Sequence, residues 1–335
     1  MVDQVVTTTV SPGSWISESA LWSRWWHVGT MEAVTSCQLV TVDGETVLQL
    51  MQGHDNIASA TKNYCINYHT RIISAIPPHA SWPTDLYVPY TDFSDMLSQD
   101  VGLGLLKGYT RKGSLKLSSS DHAAFKEELQ NGKTALVVGA DGILERVVAV
   151  VAMRLENKGK ILVQLAKWDD RTGLKPARVL PGTKRRRGEL QSAALTRIIN
   201  EDLKPWSSGI DLIRSTQDIK VAESKFGVRT KYLRTEHEAR LLNEFDTPAE
   251  LKPVGFVDDT SVPDLGISVS QVYAIRVGHK ALLYAWLQPE DFEALVHMPM
   301  HSLERWLSHL DLSLMSPRST PANTSSNPTS KSNSF

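Results

Sequence analysis

The chain has 335 residues, of which 41% are hydrophobic and 22% are charged, and its formal net charge is −1 at pH 7. These values are typical of globular proteins and the length is sufficient for two domains with separate cores, so disorder over most of the chain is excluded. The balanced charge also excludes a general electrostatic attraction to nucleic acid or to anionic membranes.

Three local features predict a cytoplasmic protein. Residues 1–15 contain neither the basic region nor the apolar region of a secretory signal. The most apolar run, residues 147–153, is far shorter than the roughly 20 residues that cross a bilayer. Cys37 and Cys65 lie among apolar neighbours without metal-ligand spacing, which indicates buried free thiols in a reducing compartment.

The first half of the chain divides into three predicted segments. Short β-like runs occupy residues 10–43, and the clearest of them is 34–42 (VTSCQLVTV). Apolar residues recur at helical spacing from 45 to 76, and the Pro77-Pro78 pair ends the predicted helix. Residues 77–120 are rich in Pro, Gly and Ser, which indicates a connector.

A second folded body is predicted to begin near Asp121, the expected N-cap of a short helix. The expected strands are 135–138, 147–154, 161–168, 231–234 and 271–277, and the expected helices are 189–203, 289–297 and 301–310. Ser, Thr, Pro and Asn dominate from Ser316 onward, so the tail over 313–335 is predicted to be disordered.

The segment over residues 13–43 resembles the phosphate-binding cassette of cyclic-nucleotide-binding domains, in the channel branch of that family. The residues at the expected spacing are Gly13, Trp15, Glu18, Ala20, Leu21 and the strand end Cys37-Gln38-Leu39. The helical run 45–76 fits the two helices that follow the β-roll of these domains. Few residues precede the cassette, so we expect the earlier strands of the family in additional N-terminal sequence.

The resemblance implies a site for cAMP or cGMP made of Gly13, Ser17, Glu18 and His27. Backbone N–H groups at a helix N-terminus bind a cyclic phosphate, and a carboxylate accepts a hydrogen bond from the ribose. The chain departs from the family where Ser17 replaces a glycine and His27 replaces an arginine. A mostly neutral imidazole cannot form the bidentate fork of a guanidinium, so weak or lost nucleotide binding is expected.

The segment over residues 180–203 resembles the Nudix box, in which a Gly-rich loop leads into a helix that carries a cluster of carboxylates. Seven residues separate Glu189 from Arg197, as in that family. The other matching residues are Pro181, Gly182, Lys184, Gly188, Ala193 and Ala194. The resemblance extends over residues 125–300 and implies a Nudix-like fold there.

Nudix hydrolases hold divalent cations with carboxylates on one helical face, and the metal bridges a pyrophosphate and activates water. The corresponding positions here are Ile198, Glu201 and Asp202, so the first carboxylate is missing. Thr183 also replaces a loop glycine. Replacing Ile198 by Glu is therefore expected to complete the metal face and to strengthen Mg²⁺ binding.

If the chain is active, the resemblance implies a set of functional residues. The catalytic carboxylates would be Glu189, Glu201 and Asp202, the Mg²⁺ ligands Glu201 and Asp202, and the nucleotide-binding residues Gly182, Lys184 and Arg197. The alternative interpretation is that Glu201 and Asp202 are solvated acids near a helix end, where the helix dipole slightly disfavours them.

The basic run Lys184-Arg185-Arg186-Arg187 also has two interpretations. It would either bind the phosphates of a nucleotide, RNA or lipid, or form a solvated loop, and the sequence favours the loop. Aromatic residues are not interleaved with the run, so nucleic-acid recognition is a minor alternative.

These patterns predict an α+β chain with four parts: a partial β-roll with helices over 1–76, a connector over 77–120, an α/β/α Nudix-like sandwich over 121–312, and the tail. The main interpretation is a non-catalytic regulatory module that resembles the cytosolic tail of a cyclic-nucleotide-gated-type channel, with a membrane channel as its parent chain. The alternative is a Mg²⁺-dependent Nudix-type pyrophosphohydrolase of nucleoside-diphosphate-linked substrates. Ile198 on the metal face favours the non-catalytic module.

Overall fold

The structure, a computed structural model, describes residues 7–52, 55–96, 99–113, 115–139, 141–186, 188–223, 226–243, 245, 248, 251–258 and 262–312. The predicted disordered tail over 313–335 and Arg187 of the basic run lie outside these ranges. Among the described helices, none has both the length and the apolar character that crossing a bilayer requires.

The part of the chain before Ala135 is built from helices joined by irregular segments. The helices are α1 (Ser19–Trp22), α2 (Gly44–Gln52), α3 (Asp55–Ser74), α4 (Phe93–Met96), α5 (Gln99–Arg111) and α6 (Ser119–Gln130). The first strand among the described residues begins at Ala135, so the predicted partial β-roll is not formed. Residues 34–42 are irregular and exposed, because β-prone sequence does not form a stable strand without a pairing partner.

The structure contains the predicted helices of this half but changes the predicted helix cap and the predicted burial of the cysteines. Two helices, α2 and α3, cover the predicted helical run, and α3 ends before the Pro77-Pro78 pair as expected. Ser118 rather than Asp121 caps α6, because its hydroxyl accepts the Asp121 N–H at 3.0 Å. Both cysteines are free as expected, but neither is buried, because Cys37 is exposed and Cys65 is half-buried.

The rest of the described chain forms one mixed sheet. Its strands are β1 (Ala135–Val138), β2 (Leu144–Asn157), β3 (Lys160–Asp169), β4 (Gly173–Val179), β5 (Gly182–Lys184), β6 (Ile210–Glu223), β7 (Arg229–Leu241), β8 (Pro253–Val254), β9 (Val272–Val277) and β10 (Lys280–Leu287). The order is β6-β7-β2-β3-β10-β9-β8, with β1 and β5 also paired to β2 and β4 paired to β3. Only the β2–β7 pairing is parallel among these strands.

Helices cover both faces of the β3–β10 strand pair. The helical segments are α7 (Gln191–Arg197), a π-helical turn (Ile198–Asp202), a 3-10 helix (Lys204–Gly209), α8 (Pro289–His297) and α9 (Met300–Leu307). Along β10, Leu283 and Ala285 pack with α8 and α9, whereas Tyr284 and Trp286 pack with α7 and the segments after it. A strand buried on both faces is apolar throughout, which explains the sequence KALLYAWL. This arrangement is compatible with the predicted α+β class and with helices on both faces of a sheet.

The helical N-terminal half contacts the outer strands β6 and β7. Lys231 on β7 donates a hydrogen bond to the Asp92 carboxylate at 2.6 Å, and the Ser215 hydroxyl on β6 donates one to the Pro78 carbonyl at 2.9 Å. The Ser215 hydroxyl also lies 2.6 Å from Nδ1 of His237. The two halves therefore share polar contacts that are partly removed from solvent.

His237 is the most buried polar residue of this contact, with 0% of its surface exposed. Its Nε2 atom and Nδ1 of nearby His79 have no hydrogen-bond partner in the described structure. Burial, with a smaller effect of His79, lowers the pKa of His237 to about 4. His237 is therefore neutral in the folded protein at neutral pH.

We predict that burial of His237 makes the free energy of unfolding pH-dependent. Between the usual pKa of 6.5 and the folded value of about 4, the unfolded chain binds a proton that the folded chain does not, so stability decreases as the pH falls through this window. The loss is on the order of 3 kcal/mol. Denaturant unfolding at several pH values should show this slope in the wild type and a smaller slope in His237→Asn.

The difference between the wild type and His237→Asn also cancels the contributions that other titrating groups make to the pH dependence of stability in both proteins. Asp202, whose raised pKa of about 6 has the opposite effect on stability over part of this window, contributes equally to both curves. Parallel pH profiles for the two proteins would contradict the buried, neutral state of His237.

Candidate functional site

A glycine begins the loop that leads from the sheet into α7. Gly182 pairs with Ala152 on β2, and a Cβ atom at this position would lie 2.8 Å from the Val151 carbonyl oxygen. Any larger residue would push β5 away from β2. The glycine that the sequence assigned to nucleotide binding thus has a clear packing role, because it brings the loop close to the sheet.

A bidentate ion pair closes this loop onto α7. The Glu189 carboxylate accepts hydrogen bonds from Nε of Arg197 at 3.0 Å and from Nη2 at 2.9 Å. Arg197 also donates to the Thr183 hydroxyl at 3.0 Å, and the Arg186 N–H donates to Glu189 at 2.7 Å. Burial acts to raise the pKa of Glu189, but these hydrogen bonds outweigh it and hold the pKa below its usual value. Glu189 and Arg197, which the sequence assigned to catalysis and to nucleotide binding, instead pair with each other and hold the loop together.

The residue at the position of the missing carboxylate belongs to the core. The Ile198 side chain is fully buried and packs with Val151, Met153 and Leu195. From this residue the helix widens into a π-turn, in which the Leu203 N–H donates to the Ile198 carbonyl at 2.9 Å. Ile198 thus faces the sheet, and a carboxylate placed there would point away from solvent.

Glu201 and Asp202 lie at the end of the same π-turn, where the helical segment leaves the sheet. Glu201 is exposed and Asp202 is half-buried. Burial, together with the charge of Glu201, raises the pKa of Asp202 to about 6, although Arg197 and Lys167 oppose the shift. Acidic and basic charges from three elements, β3, α7 and the π-turn, therefore interact at this end of the helix.

Tyr284 on β10 completes the buried side of this region. Its hydroxyl has no hydrogen-bond partner in the described structure, and its pKa is raised far above the usual value by burial and by Asp202. In the described part of the chain, no three His, Cys, Asp or Glu side chains form a group that could hold a metal ion. The site consequently offers two carboxylates, Glu201 and Asp202, with Lys167 and Arg197 as neighbouring cations.

The basic run is only partly a solvated loop. Lys184 lies on β5 with its ammonium 3.7 Å from the Glu128 carboxylate. Arg185 is buried and forms an ion pair with Asp95. The Arg186 side chain is exposed. The run therefore contributes a buried ion pair through Arg185, whereas Lys184 and Arg186 are exposed.

The residues predicted as a cyclic-nucleotide cassette meet a carboxylate of this chain. Asp85 accepts hydrogen bonds from the Ser17 hydroxyl at 2.6 Å, from the Trp25 indole at 2.8 Å and from the Val28 N–H, and its Oδ1 lies 2.9 Å from Nδ1 of His27. Burial alone would raise the pKa of Asp85, but these hydrogen bonds hold it well below its usual range. The donors that a phosphate would require thus surround an internal carboxylate.

Of the predicted cassette residues, Ser17 and Glu18 form hydrogen bonds within the chain, whereas Gly13 makes no such contact with the described residues. The Ser17 N–H donates to the Asp85 carbonyl at 2.6 Å, and this contact accompanies the left-handed backbone of Ser17 (φ 58°). Glu18 accepts hydrogen bonds from the Tyr64 hydroxyl at 2.8 Å and from the Trp22 indole at 3.2 Å. Gly13 is exposed, with open space around its Cα. The structure therefore brings Ser17 and His27 together, but around Asp85.

Sequence reasoning missed Lys167, Tyr284 and Asp85, which contribute to these two regions. Lys167 and Tyr284 reach the Asp202 region through the β3–β10 pairing, which a single sequence does not reveal. Asp85 lies 58 positions after His27 along the chain, in the predicted connector over 77–120. Tyr284, whose hydroxyl lies within the apolar run over 281–287, is the one of these residues that the sequence could have signalled.

No protein-family profile and no curated protein matches this sequence. Among solved structures, a Nudix hydrolase from Nitrosomonas europaea is similar over 48% of this chain and 88% of its own, with 17% identity and a TM-score of 0.27. The DNA mismatch repair protein MutT, a Nudix-family hydrolase from methicillin-resistant Staphylococcus aureus 252, is similar over 49% and 98%, with 16% identity and a TM-score of 0.25. The Nudix hydrolase RenU from M. smegmatis is similar over 52% and 92%, with 14% identity and a TM-score of 0.26. At these TM-scores the likeness says nothing about the activity of this chain.

The burial of Ile198 reverses the expectation for Ile198→Glu. We now predict that this variant is destabilised by more than about 3 kcal/mol, because the change buries a charge without a partner and removes core packing. Ile198→Val is the matched control and should cost only about 0.5–1.5 kcal/mol. Chemical denaturation measures both values, and a stable Ile198→Glu variant with tighter Mg²⁺ binding would contradict the placement of Ile198 in the core.

Proposed function

We propose that residues 121–312 form a Mg²⁺-dependent hydrolase of nucleoside-diphosphate-linked substrates, with Glu201 and Asp202 as its metal-binding carboxylates. The observation that carries the proposal is the adjacent pair of acids at the end of a helical segment whose loop is closed by the Glu189–Arg197 ion pair. The Nudix-box resemblance of residues 180–203 supports the same class of substrate.

The donor set fits one hard cation that keeps most of its water. Mg²⁺ is commonly held by one or two carboxylates together with substrate phosphates and waters, so a third protein carboxylate is not required. Glu201 is exposed and Asp202 is half-buried, and the two carboxylates interact electrostatically. When bound, the cation would supply charge stabilisation to a pyrophosphate and lower the pKa of a water.

Residues of the chain itself supply the other parts of the proposed chemistry. The ammonium of Lys167 interacts electrostatically with Asp202 and is placed to attract a substrate phosphate. The exposed Glu201 carboxylate and the half-buried Asp202 carboxylate would hold the cation. Glu189 acts through Arg197 as a positioning residue, because its carboxylate is already used by the ion pair.

A second candidate function is a non-catalytic interaction module that retains this fold. The specific observation in its favour is Ile198, a core residue at the position of the third carboxylate. Cyclic-nucleotide sensing is not part of either proposal, because the Asp85 carboxylate takes the donors of Ser17, Trp25 and Val28 that a cyclic phosphate would need.

We predict that Mg²⁺ binding and hydrolysis both require the two acids. The full chain is titrated with Mg²⁺ by calorimetry and assayed for cleavage of ADP-ribose and dinucleoside polyphosphates by chromatography. Glu201→Gln and Asp202→Asn should each weaken Mg²⁺ binding at least about tenfold, the effect typical even of residues that only support a metal ligand. Both variants should also lose hydrolysis.

Asp218→Asn is the matched control, since it removes one exposed carboxylate on β6 that pairs only weakly with Lys220. This variant should bind Mg²⁺ and cleave substrate like the wild type. Hydrolysis that survives in a Glu201→Gln/Asp202→Asn double variant would refute the proposed site. Mg²⁺-dependent ligand binding without any cleavage would select the non-catalytic module.

A further inference from the structure

Two arginines from separate parts of the chain meet at one carboxylate. Asp95 in α4 lies 2.9 Å from Nη2 of Arg71 in α3, and it also forms an ion pair with Arg185 in the loop between β5 and α7. The side chains of Arg71, Asp95 and Arg185 are only 6%, 12% and 9% exposed. We refer to these three residues as the arginine clamp.

The arginine clamp continues directly into the loop of the proposed site. Nη1 of Arg185 donates to the Glu189 carbonyl at 2.9 Å, and the Glu189 carboxylate holds Arg197. Arg197 in turn lies one turn before Glu201 and Asp202 and interacts electrostatically with both. A chain of contacts therefore connects α3 and α4 with the two carboxylates through the loop.

The two arginines depend on Asp95 to different degrees. Arg71 also donates to the Tyr90 carbonyl at 2.6 Å and to the Asn67 carbonyl at 3.1 Å, so it has acceptors of its own within the N-terminal half. Arg185 pairs with no other carboxylate among the described residues, and its Nε atom has no partner there. Loss of Asp95 would leave a buried charge mainly on the loop.

We propose that Asp95 is a positioning residue, through which the N-terminal helices hold loop residues 185–186 and 188–190 in the geometry that the Glu201–Asp202 site requires. The inference rests on the proposed function of that site. It assigns the N-terminal half a regulatory role, because the site is fully assembled only while α3 and α4 are docked onto the loop.

Other contacts keep the two halves together when the clamp is broken. The Lys231–Asp92 pair and the hydrogen bond from Ser215 to the Pro78 carbonyl lie on β7 and β6, across β2 from β5 and the loop. A substitution in the clamp therefore releases the loop without undocking the N-terminal half. This separation makes the proposal testable in the full chain.

Arg185→Met is the informative variant, because it removes the loop's part of the clamp and leaves the Arg71–Asp95 pair to support folding. Lys231→Met is the matched control. Lys231 lies on β7 and pairs with Asp92, which directly precedes α4, so this variant also removes a cation that contacts the N-terminal half. Asp95→Asn should behave like Arg185→Met, and the charge-conserving Asp95→Glu should restore most of the wild-type behaviour.

Limited trypsin digestion of the folded full chain reports on the loop independently of activity. Lys184 and Arg186 are exposed, and cleavage after each is mapped by mass spectrometry. In Arg185→Met and Asp95→Asn we expect loop cleavage about tenfold faster than in the wild type and in Lys231→Met, because local opening controls proteolysis. Wild-type cleavage rates in the clamp variants, or equally fast cleavage in Lys231→Met, would overturn the proposal.

Steady-state hydrolysis supplies the second readout. The clamp variants should lower kcat about 10- to 100-fold with little change in KM, the effect of a displaced catalytic group. Rapid loop cleavage with unchanged kcat would show that the clamp does not position the site. If the wild type cleaves none of the substrates, the proposed function fails, and the trypsin result alone then decides whether Asp95 holds the loop.

Discussion

Burial of the β3–β10 strand pair on both faces is the constraint on which the rest of the domain depends. Apolar side chains alternate toward α8 and α9 on one face and toward α7 on the other, so a helix must cover each face. Because α7 lies flat on the sheet, the residue that follows it, Ile198, is drawn into the core. The π-turn then carries the chain away from the sheet and leaves Glu201 and Asp202 at the rim.

In the N-terminal half, two half-buried carboxylates join segments that are far apart in the sequence. Asp85 collects the donors of residues 17–28, and Asp95 joins Arg71 to Arg185. A buried ion pair contributes little net stability compared with apolar packing, but removing one partner is costly. Such contacts therefore specify which segments meet, and in this chain they determine where the N-terminal helices sit on the sheet.

The sequence patterns predict several apolar strands and helices, but they miss the apolar strand β10 as well as the mostly polar strand β6. The strands β1, β2 and β3 and the helices α8 and α9 carry clear periodicity, and the structure contains all of them. The strand β6 is mostly polar and exposed, and it exists because β7 lies beside it. Residues 34–42 show the converse, since β-prone sequence remained irregular without such a partner.

The same reasoning explains the two motifs. The Nudix-like pattern brings Glu189 and Arg197 into contact, because both residues lie within one loop and the helix that follows it. The cassette-like pattern is also local, but its donors are satisfied by Asp85, which is far away in sequence. Sequence spacing alone shows that a turn is rich in hydrogen-bond donors. Only the fold shows which anionic group accepts their hydrogen bonds.

Coupling between the N-terminal half and the site has a thermodynamic consequence in both directions. If docking of α3 and α4 favours the loop geometry that binds ligand, a ligand that requires this geometry must stabilise docking by the same factor. The arginine clamp is suited to such coupling, because Arg185 has one carboxylate partner in the described chain and cannot leave it without exposing or stranding a charge. Under the proposed function, a diphosphate ligand bound at Glu201 and Asp202 would therefore stabilise the clamped loop.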